Sequence, residues 1–291
     1  MNYYPADDGW TRMWTNWHPG VLKRDFALIR SLGANAVRIG VFPYTFGWPR
    51  LSARMAARFA ECLNIAAAEG LGVQVTLFDW WWSYQDIGQS RAWLKALLHP
   101  YASDPEIQLV EIKNEVDLSN QAEVAWVRAM LPTLRAVMPR TPSTVSVSGT
   151  EGPRGFVILR QELAGAPLDV ADLHFYGNAA SAYSWMLAAK RAAGSLPLFI
   201  GEIGFPVIAA GRGQATADLM QAHWFSAVFA AAREAGVATP APWTLYDFTR
   251  GALPRRAQNP RVSNFGLYSA TGRARPAVGV VKQAFRLSCH C

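Results

Sequence analysis

Apolar positions along the chain follow two rhythms, short unbroken runs and longer stretches in which they recur every three or four residues. The first helical stretch covers 19–31, where Leu22, Phe26 and Ile29 share a face, Pro19 suits the first turn and Gly33 is placed to end it. A buried run at 36–41 follows at once. Leu51, Met55, Phe59, Cys62, Leu63 and Ala66 then mark a helix before Gly70 and Gly72. The alternation continues with strands over 73–78, 108–113, 144–148, 170–175 and 198–201, and helices over 91–98, 121–137, 156–163, 182–193 and 215–235. Pro132 is expected to kink or shorten the helix that contains it. A last strand falls within 237–245, and a helix over 277–287 closes the pattern.

Strands that alternate with amphipathic helices call for a parallel sheet covered by helices, because a right-handed helical crossover joins parallel neighbours. Seven such strands follow residue 36, and the opening residues 1–4 supply an eighth. This count fits an α/β fold of the single (β/α)8 TIM barrel type better than an open doubly wound sheet, and no Gly-rich phosphate loop follows the first strand. No repeat, low-complexity tract or linker divides the chain, so residues 1–291 are expected to form one catalytic domain. Loops are expected at 211–214 and 251–264, the second long enough to be a flap beside a binding site.

A composition of 51% hydrophobic, 12% aromatic and 17% charged residues excludes a disordered chain. Lys and Arg number 28 against 21 Asp and Glu, a net charge of +7. The arginines are scattered and no helix carries a continuous basic stripe, so the charge reads as a solvated surface and no nucleic acid partner is expected. No apolar stretch reaches the roughly 18 residues of a membrane span, and residues 1–10 carry no export signal. The expectation is a soluble monomer, cytoplasmic or a trimmed secreted form. The cysteines cannot build a disulfide framework: Cys62 falls on a core face, while Cys289 and Cys291 flank His290 with too few ligands for a stable metal centre.

In a barrel the chemistry sits at the C-terminal ends of the strands, so polar residues there are the candidates. Arg38 lies on the second strand, Asp79 follows the third, Asn114 and Glu115 end the fourth, and His174 and Tyr176 end the sixth. Glu202 ends the seventh and Trp243 falls on the eighth. Each alone has an ordinary structural reading as a cap, a core partner or a satisfied histidine; their gathering on one rim points to a pocket. Two carboxyls facing each other across a sugar are the minimum equipment for cleaving a glycosidic bond, one protonated to assist the leaving oxygen and one ionised. Arg38 is well placed to keep one of them charged. The histidines form no paired ligand motif and no nucleophile elbow is present, so neither a metal, a cofactor nor a serine nucleophile is expected.

The chain has 12 tryptophans, several near predicted rim loops, including Trp80, Trp81 and Trp82 in succession after a strand. Flat apolar rings suit the C–H faces of sugars, and the alternative is packing beneath loops. Three consecutive indoles cannot all point inward, so at least one should meet solvent or ligand.

Over nearly its whole length the sequence resembles the retaining glycoside hydrolases of clan A, most closely glycoside hydrolase family 5, the family of cellulases and β-mannanases. The resemblance is carried by Lys113-Asn114-Glu115, which looks like the acid/base motif, and by Gly201-Glu202-Ile203-Gly204, which looks like the nucleophile motif. Arg38 in Val-Arg-Ile, His174-Phe175-Tyr176 and Trp243 support it. The resemblance implies that Glu115 is the general acid/base, Glu202 the nucleophile and Asn114 a partner of the sugar 2-hydroxyl. It implies further that Arg38 and Tyr176 orient Glu202, that His174 sits near Glu115, and that Trp243 floors the sugar. Three departures stand out: Val116 follows Glu115 where many members have Pro, Asp79 stands where many carry a His, and the chain begins almost inside its first strand.

The expected activity is hydrolysis of a β-linked glucan or mannan by double displacement, with Trp80, Trp81 and Asp79 also meeting substrate. The alternatives are a catalytically silent barrel that binds carbohydrate through its tryptophans, and a transglycosylase using the same residues.

Overall fold

Residues 1–288 are described by the computed structural model. Six parallel strands form one sheet in chain order: β1 (Ala36–Gly40), β2 (Gly72–Thr76), β3 (Ile107–Glu111), β4 (Ser143–Val147), β5 (Val170–Phe175) and β6 (Leu198–Ile203). Helices α3 (Ala53–Ala68), α4 (Ile87–Leu98), α5 (Gln121–Val137), α6 (Gly152–Glu162) and α7 (Ala182–Ala193) make the crossovers. Before β1 come a single turn, α1 (Arg12–Thr15), and α2 (Pro19–Ser31); α8 (Gln214–Glu234) and α9 (Ala277–Ser288) follow β6.

Instead of uniformly apolar runs, the strands alternate. Val37, Val73, Val75, Val110, Val145 and Leu173 lie in the continuous apolar cluster. Between them stand Arg38, Gln74, Thr76, Glu111, Ser146 and Asp172, all buried. Successive strand residues point to opposite faces, so the polar set occupies the concave side. The ladders bring its members abreast, pairing Thr76 with Glu111, Ser146 with Asp172 and His174 with Glu202.

The first and last predicted strands are not strands here. Residues 1–4 and 237–245 make only isolated parallel bridges, Asn2 to Arg38 and Pro242 to Ile203. Pro5, Pro240 and Pro242 have no backbone N–H, so neither segment can extend a ladder. The segments nevertheless meet, for the backbone N–H of Asn2 donates to the carbonyl of Pro242 at 3.1 Å, and a hydrogen-bonded path runs from β1 to β6. The Asn2 side chain adds a bond to the carbonyl of Gly201 at 2.8 Å.

Other boundaries shift modestly. The helix predicted over 91–98 begins at Ile87 and that over 156–163 at Gly152. Helix α5 runs through Pro132 to Val137 without being shortened. Cys62 is buried, as its place on the α3 face requires; Cys289, His290 and Cys291 lie outside the described residues. Among the described residues no helix is long and apolar enough to cross a membrane.

Candidate active site

A cavity of about 840 Å³ opens at the C-terminal edge of the sheet. Arg38, Thr76, Asn114, Glu115, Tyr176 and Glu202 form its polar floor, and Trp10, Trp80, Trp243 and Phe265 form apolar walls. Asn259, Arg261 and Val262 bring the loop after Gly251 to its rim, where a flap was expected.

Glu202 lies inside β6, while Glu115 stands four residues beyond the end of β3. The backbone of Glu115 is left-handed, with φ of 44°, a conformation that non-glycine residues rarely hold without outside support. That support comes from β4: the amide of Glu115 donates to Oγ of Ser146 at 2.8 Å, and the amide of Val116 donates to its carbonyl at 3.1 Å. Trp10 and Trp80 share this backbone conformation, with φ of 50° and 52°.

The guanidinium of Arg38 organises the floor. It donates to Oε1 of Glu202 at 2.5 Å, to Oε2 of Glu111 at 2.6 and 2.9 Å, to Asn2 at 2.8 Å and to Oδ1 of Asn114 at 2.7 Å. Burial opposes its charge, but Glu111 and Glu202 outweigh that and hold its proton more firmly than usual. Tyr176 donates to Oε2 of Glu202 at 2.6 Å, so both oxygens of Glu202 are held. The bond from Arg38 turns Asn114 so that its NH2 group is left to donate.

His174 lies directly below. Its Nδ1 is 2.9 Å from Oε1 of Glu115 and 3.5 Å from Oε2 of Glu202. Burial disfavours the imidazolium, yet the two glutamates raise its pKa to about 9. Reciprocally, burial pushes Glu115 up, but the hydrogen bond and charge of His174 outweigh it and hold the carboxyl below its usual range. Asp79 borders the cavity with Oδ1 accepting from the amide of Trp80 at 2.9 Å; burial raises its pKa to about 6 against the pull of Lys113 and Arg38.

The structure separates the three consecutive indoles. Trp80 faces the cavity, whereas Trp81 is fully buried behind it, 4.3 Å from Trp48 and 5.4 Å from Phe78 between ring centres. Trp81 therefore does not meet substrate from this position, correcting the expectation. The chain turns at Phe78 and Trp80, both at positive φ, which sends neighbouring rings to different sides. Trp82 is exposed, with the guanidinium of Arg256 4.6 Å above its ring. Trp243 takes the floor edge, 5.9 Å from Tyr4 and 5.6 Å from Trp10 between ring centres.

Sequence reasoning missed Asn2, Tyr4, Thr76, Glu111 and Asp172. The available signal was the polar residue at every second position of otherwise apolar strands. Two trios, Glu115 with His174 and Glu202, and Glu111 with Asp172 and His174, each bring one ligating atom per residue within 4.8 Å of the others. A cation fits neither well, because the Arg38 guanidinium already occupies Glu202 and Glu111 and would repel it.

No family profile and no curated protein matches the chain in sequence. Solved structures do. The exo-β-1,4-mannosidase Op5Man5 from Opitutaceae bacterium strain TAV5 superposes with a TM-score of 0.80 at 22% identity, over 99% of this chain and 59% of its own. The chain thus spans less than two thirds of that enzyme. GH5_18 from Streptomyces cattleya, solved with GlcNAc, gives a TM-score of 0.75 at 17% identity over 99% of this chain and 79% of its own. A variant of that protein with Manβ1-4GlcNAc gives 0.75 at 18% identity, over 97% and 79%. At these identities the likeness establishes a shared fold.

Proposed function

We propose that the chain is a retaining β-glycosidase built on a (β/α)8 barrel, with Glu202 as nucleophile and Glu115 as general acid/base. One observation carries the reading: carboxyl oxygens of Glu115 and Glu202 lie within 4.8 Å of each other at the cavity floor. Retaining enzymes hold these groups about 5–5.5 Å apart for direct attack, whereas inverting enzymes leave about 6.5–9.5 Å for a water. The fold shared with a mannosidase and with a protein solved with Manβ1-4GlcNAc supports a β-mannoside type substrate.

The environments of the two carboxyls suit different tasks. The Glu202 side chain is 8% exposed and clamped at both oxygens by Arg38 and Tyr176, which aims it at an anomeric carbon. The Glu115 side chain is 35% exposed, open to a leaving group and later to water. Glu202 attacks and forms a glycosyl ester while a proton passes to the departing oxygen. The N–H of His174 at Nδ1, 2.9 Å from Glu115, is the nearest source of that proton. Glu115 then removes a proton from the water that cleaves the ester. Asn114 is positioned to donate to the 2-hydroxyl, and Trp243, Trp80 and Trp10 present faces to the sugar ring.

The test is reducing-sugar release by wild type and Glu202→Gln across β-glucans, β-mannans, xylans and an acidic bacterial polysaccharide, with product anomers read by NMR. Wild type is expected to release a β-anomer first and the variant to lose more than about a thousandfold in turnover. An α-anomer, or a variant as active as wild type, refutes the assignment.

A further inference from the structure

Beneath Glu115 and Glu202 lies a second tier of ionisable groups. Glu111, Asp172 and His174 are each 0% exposed, and each brings a polar atom within 4.8 Å of the other two. Each also carries a buried atom without a hydrogen-bond partner: Oε1 of Glu111, Oδ2 of Asp172 and Nε2 of His174. An unpaired buried polar atom is costly, so three on neighbouring side chains call for a proton or a small polar guest.

Their other atoms are engaged. Oε2 of Glu111 accepts from Arg38 and, at 2.6 Å, from Thr76. Oδ1 of Asp172 accepts from the amide of Gly201 at 2.9 Å, and Nδ1 of His174 faces Glu115. A Cβ on Gly201 would fall 2.4 and 2.8 Å from the two oxygens of Asp172, so the glycine is what admits this carboxyl beside β6.

We propose that Asp172, His174 and Glu115 form a proton line in which Asp172 holds, beneath the imidazole, the proton that Glu115 needs as general acid. The inference rests on the glycosidase reading above. In the transfer the O–H bond at Oδ2 of Asp172 breaks and Nε2 of His174 gains the proton; the N–H bond at Nδ1 breaks and Oε1 of Glu115 gains that one. Between the two steps His174 is the imidazolium that its neighbouring carboxylates favour; at the end Asp172 is a carboxylate, His174 is neutral with its proton moved across the ring, and Glu115 is neutral. The charge is conserved, and the line runs backward once Glu115 has taken a proton from water. Oδ2 of Asp172 and Nε2 of His174 make no direct hydrogen bond, so the line takes one bridging water between two residues that each bring a ligating atom within 4.8 Å of the other.

The surroundings favour a proton here. The charged groups acting on Asp172 are Glu111 on β3, Arg38 on β1 and His174 on β5, the Gly201 amide of β6 donates to it, and its ladder neighbour on β4 is Ser146. Two buried carboxyls this close cannot both stay ionised cheaply. Burial first, then the charge of Glu111, raises the Asp172 pKa to about 7. The imidazolium form of His174 is the same proton one step along. Asp172 is a positioning residue, acting on substrate only through His174 and Glu115.

The experiment follows the Asp172 13Cγ and His174 ring 15N signals of the full chain from pH 4 to 10, in wild type and Asp172→Asn. Asp172 is expected to titrate near 7, and the variant is expected to lower the His174 midpoint by at least about one pH unit. A wild-type Asp172 midpoint in the ordinary range near 4, or an unmoved His174, overturns the proposal. The wild-type signal decides even if the variant does not fold. Kinetics supply a second arm, since a nitrophenyl leaving group needs no proton and a sugar leaving group does. Asp172→Asn is expected to keep kcat/KM within about threefold on the aryl glycoside, lose at least about thirtyfold on the oligosaccharide, and move the basic limb of the pH profile down. Equal loss on both substrates indicates a merely structural role and overturns it. If wild type cleaves no glycoside, the hydrolase reading fails, and the NMR titration still judges the proton line.

Discussion

Replacing Arg38 with Met keeps most of the stem volume and removes the fork that holds the floor together. Four partners lose their donor: Glu202, Glu111, Asn2 and Asn114. Glu111 is left with Thr76 alone, and it is 0% exposed, so water cannot substitute. Removing one partner of a buried ion pair costs about 3–5 kcal/mol. Because methionine returns some packing, we expect a loss of about 4 kcal/mol. Unfolding entropy scales at roughly 2.1 cal/mol/K per residue, which for this length gives a fall in Tm of about 6–7 °C. Urea unfolding followed by tryptophan fluorescence measures the free energy, and calorimetry measures Tm. Arg38→Lys keeps the charge but offers three donors from one point, so it is expected to recover only about half of the loss. A double-mutant cycle with Glu111→Gln should give a coupling of at least about 2 kcal/mol. If Arg38→Met lies within about 1 kcal/mol of wild type at an unchanged m-value, Arg38 does not organise the floor as described.

Asp79 carries a pKa of about 6 in the fold against 3.8 in an ordinary chain, chiefly through burial. The folded protein therefore binds this proton more tightly than the unfolded one, and stability falls as pH rises through that window. Asp79→Asn should match wild type near pH 4 and exceed it by about 2–3 kcal/mol at pH 7 in denaturant titrations, and an equal difference at both pH values counts against the buried charge. Trp80→Ala is expected to raise KM with under about 1 kcal/mol of destabilisation, whereas Trp81→Ala should cost about 3–5 kcal/mol through the core. Thermal melts beside KM values check the pair, and the reverse order of effects would sink the placement of the two rings.

Periodicity served the sequence reading where one face of an element packs and the other does not. Helix 182–193 and strand 170–175 match α7 and β5 residue for residue, because each is bounded by an abrupt change in hydropathy. It failed at the first and last predicted strands, where proline removes the donors that define a strand while leaving the segment in place. The rim residues stood out because each follows an apolar run. Glu111 and Asp172 did not, because a polar residue inside such a run looks like noise until the ladders set it beside others. Trp81 was misplaced because a spacing argument predicts that neighbours diverge and cannot say which one turns inward.

The polar concave face carries a cost in stability that its placement helps to offset. A buried carboxylate is tolerable when a guanidinium and a hydroxyl reach it, and Arg38 with Thr76 does this for Glu111. Arg38 in turn is held by Asn2, whose side-chain NH2 donates to the carbonyl of Gly201 beside Glu202 and to those of Ala241 and Pro242. The segment that joins the ends of the sheet and the network that holds Glu202 thus share one residue. Few backbone bonds join the ends of the sheet there, and Arg38 lies between β3 and β6 with Glu111 and Glu202 as its partners. The contacts that join the ends of the sheet and those that shape the cavity floor therefore depend on the same side chains, so a change at Asn2 or Arg38 should disturb both together.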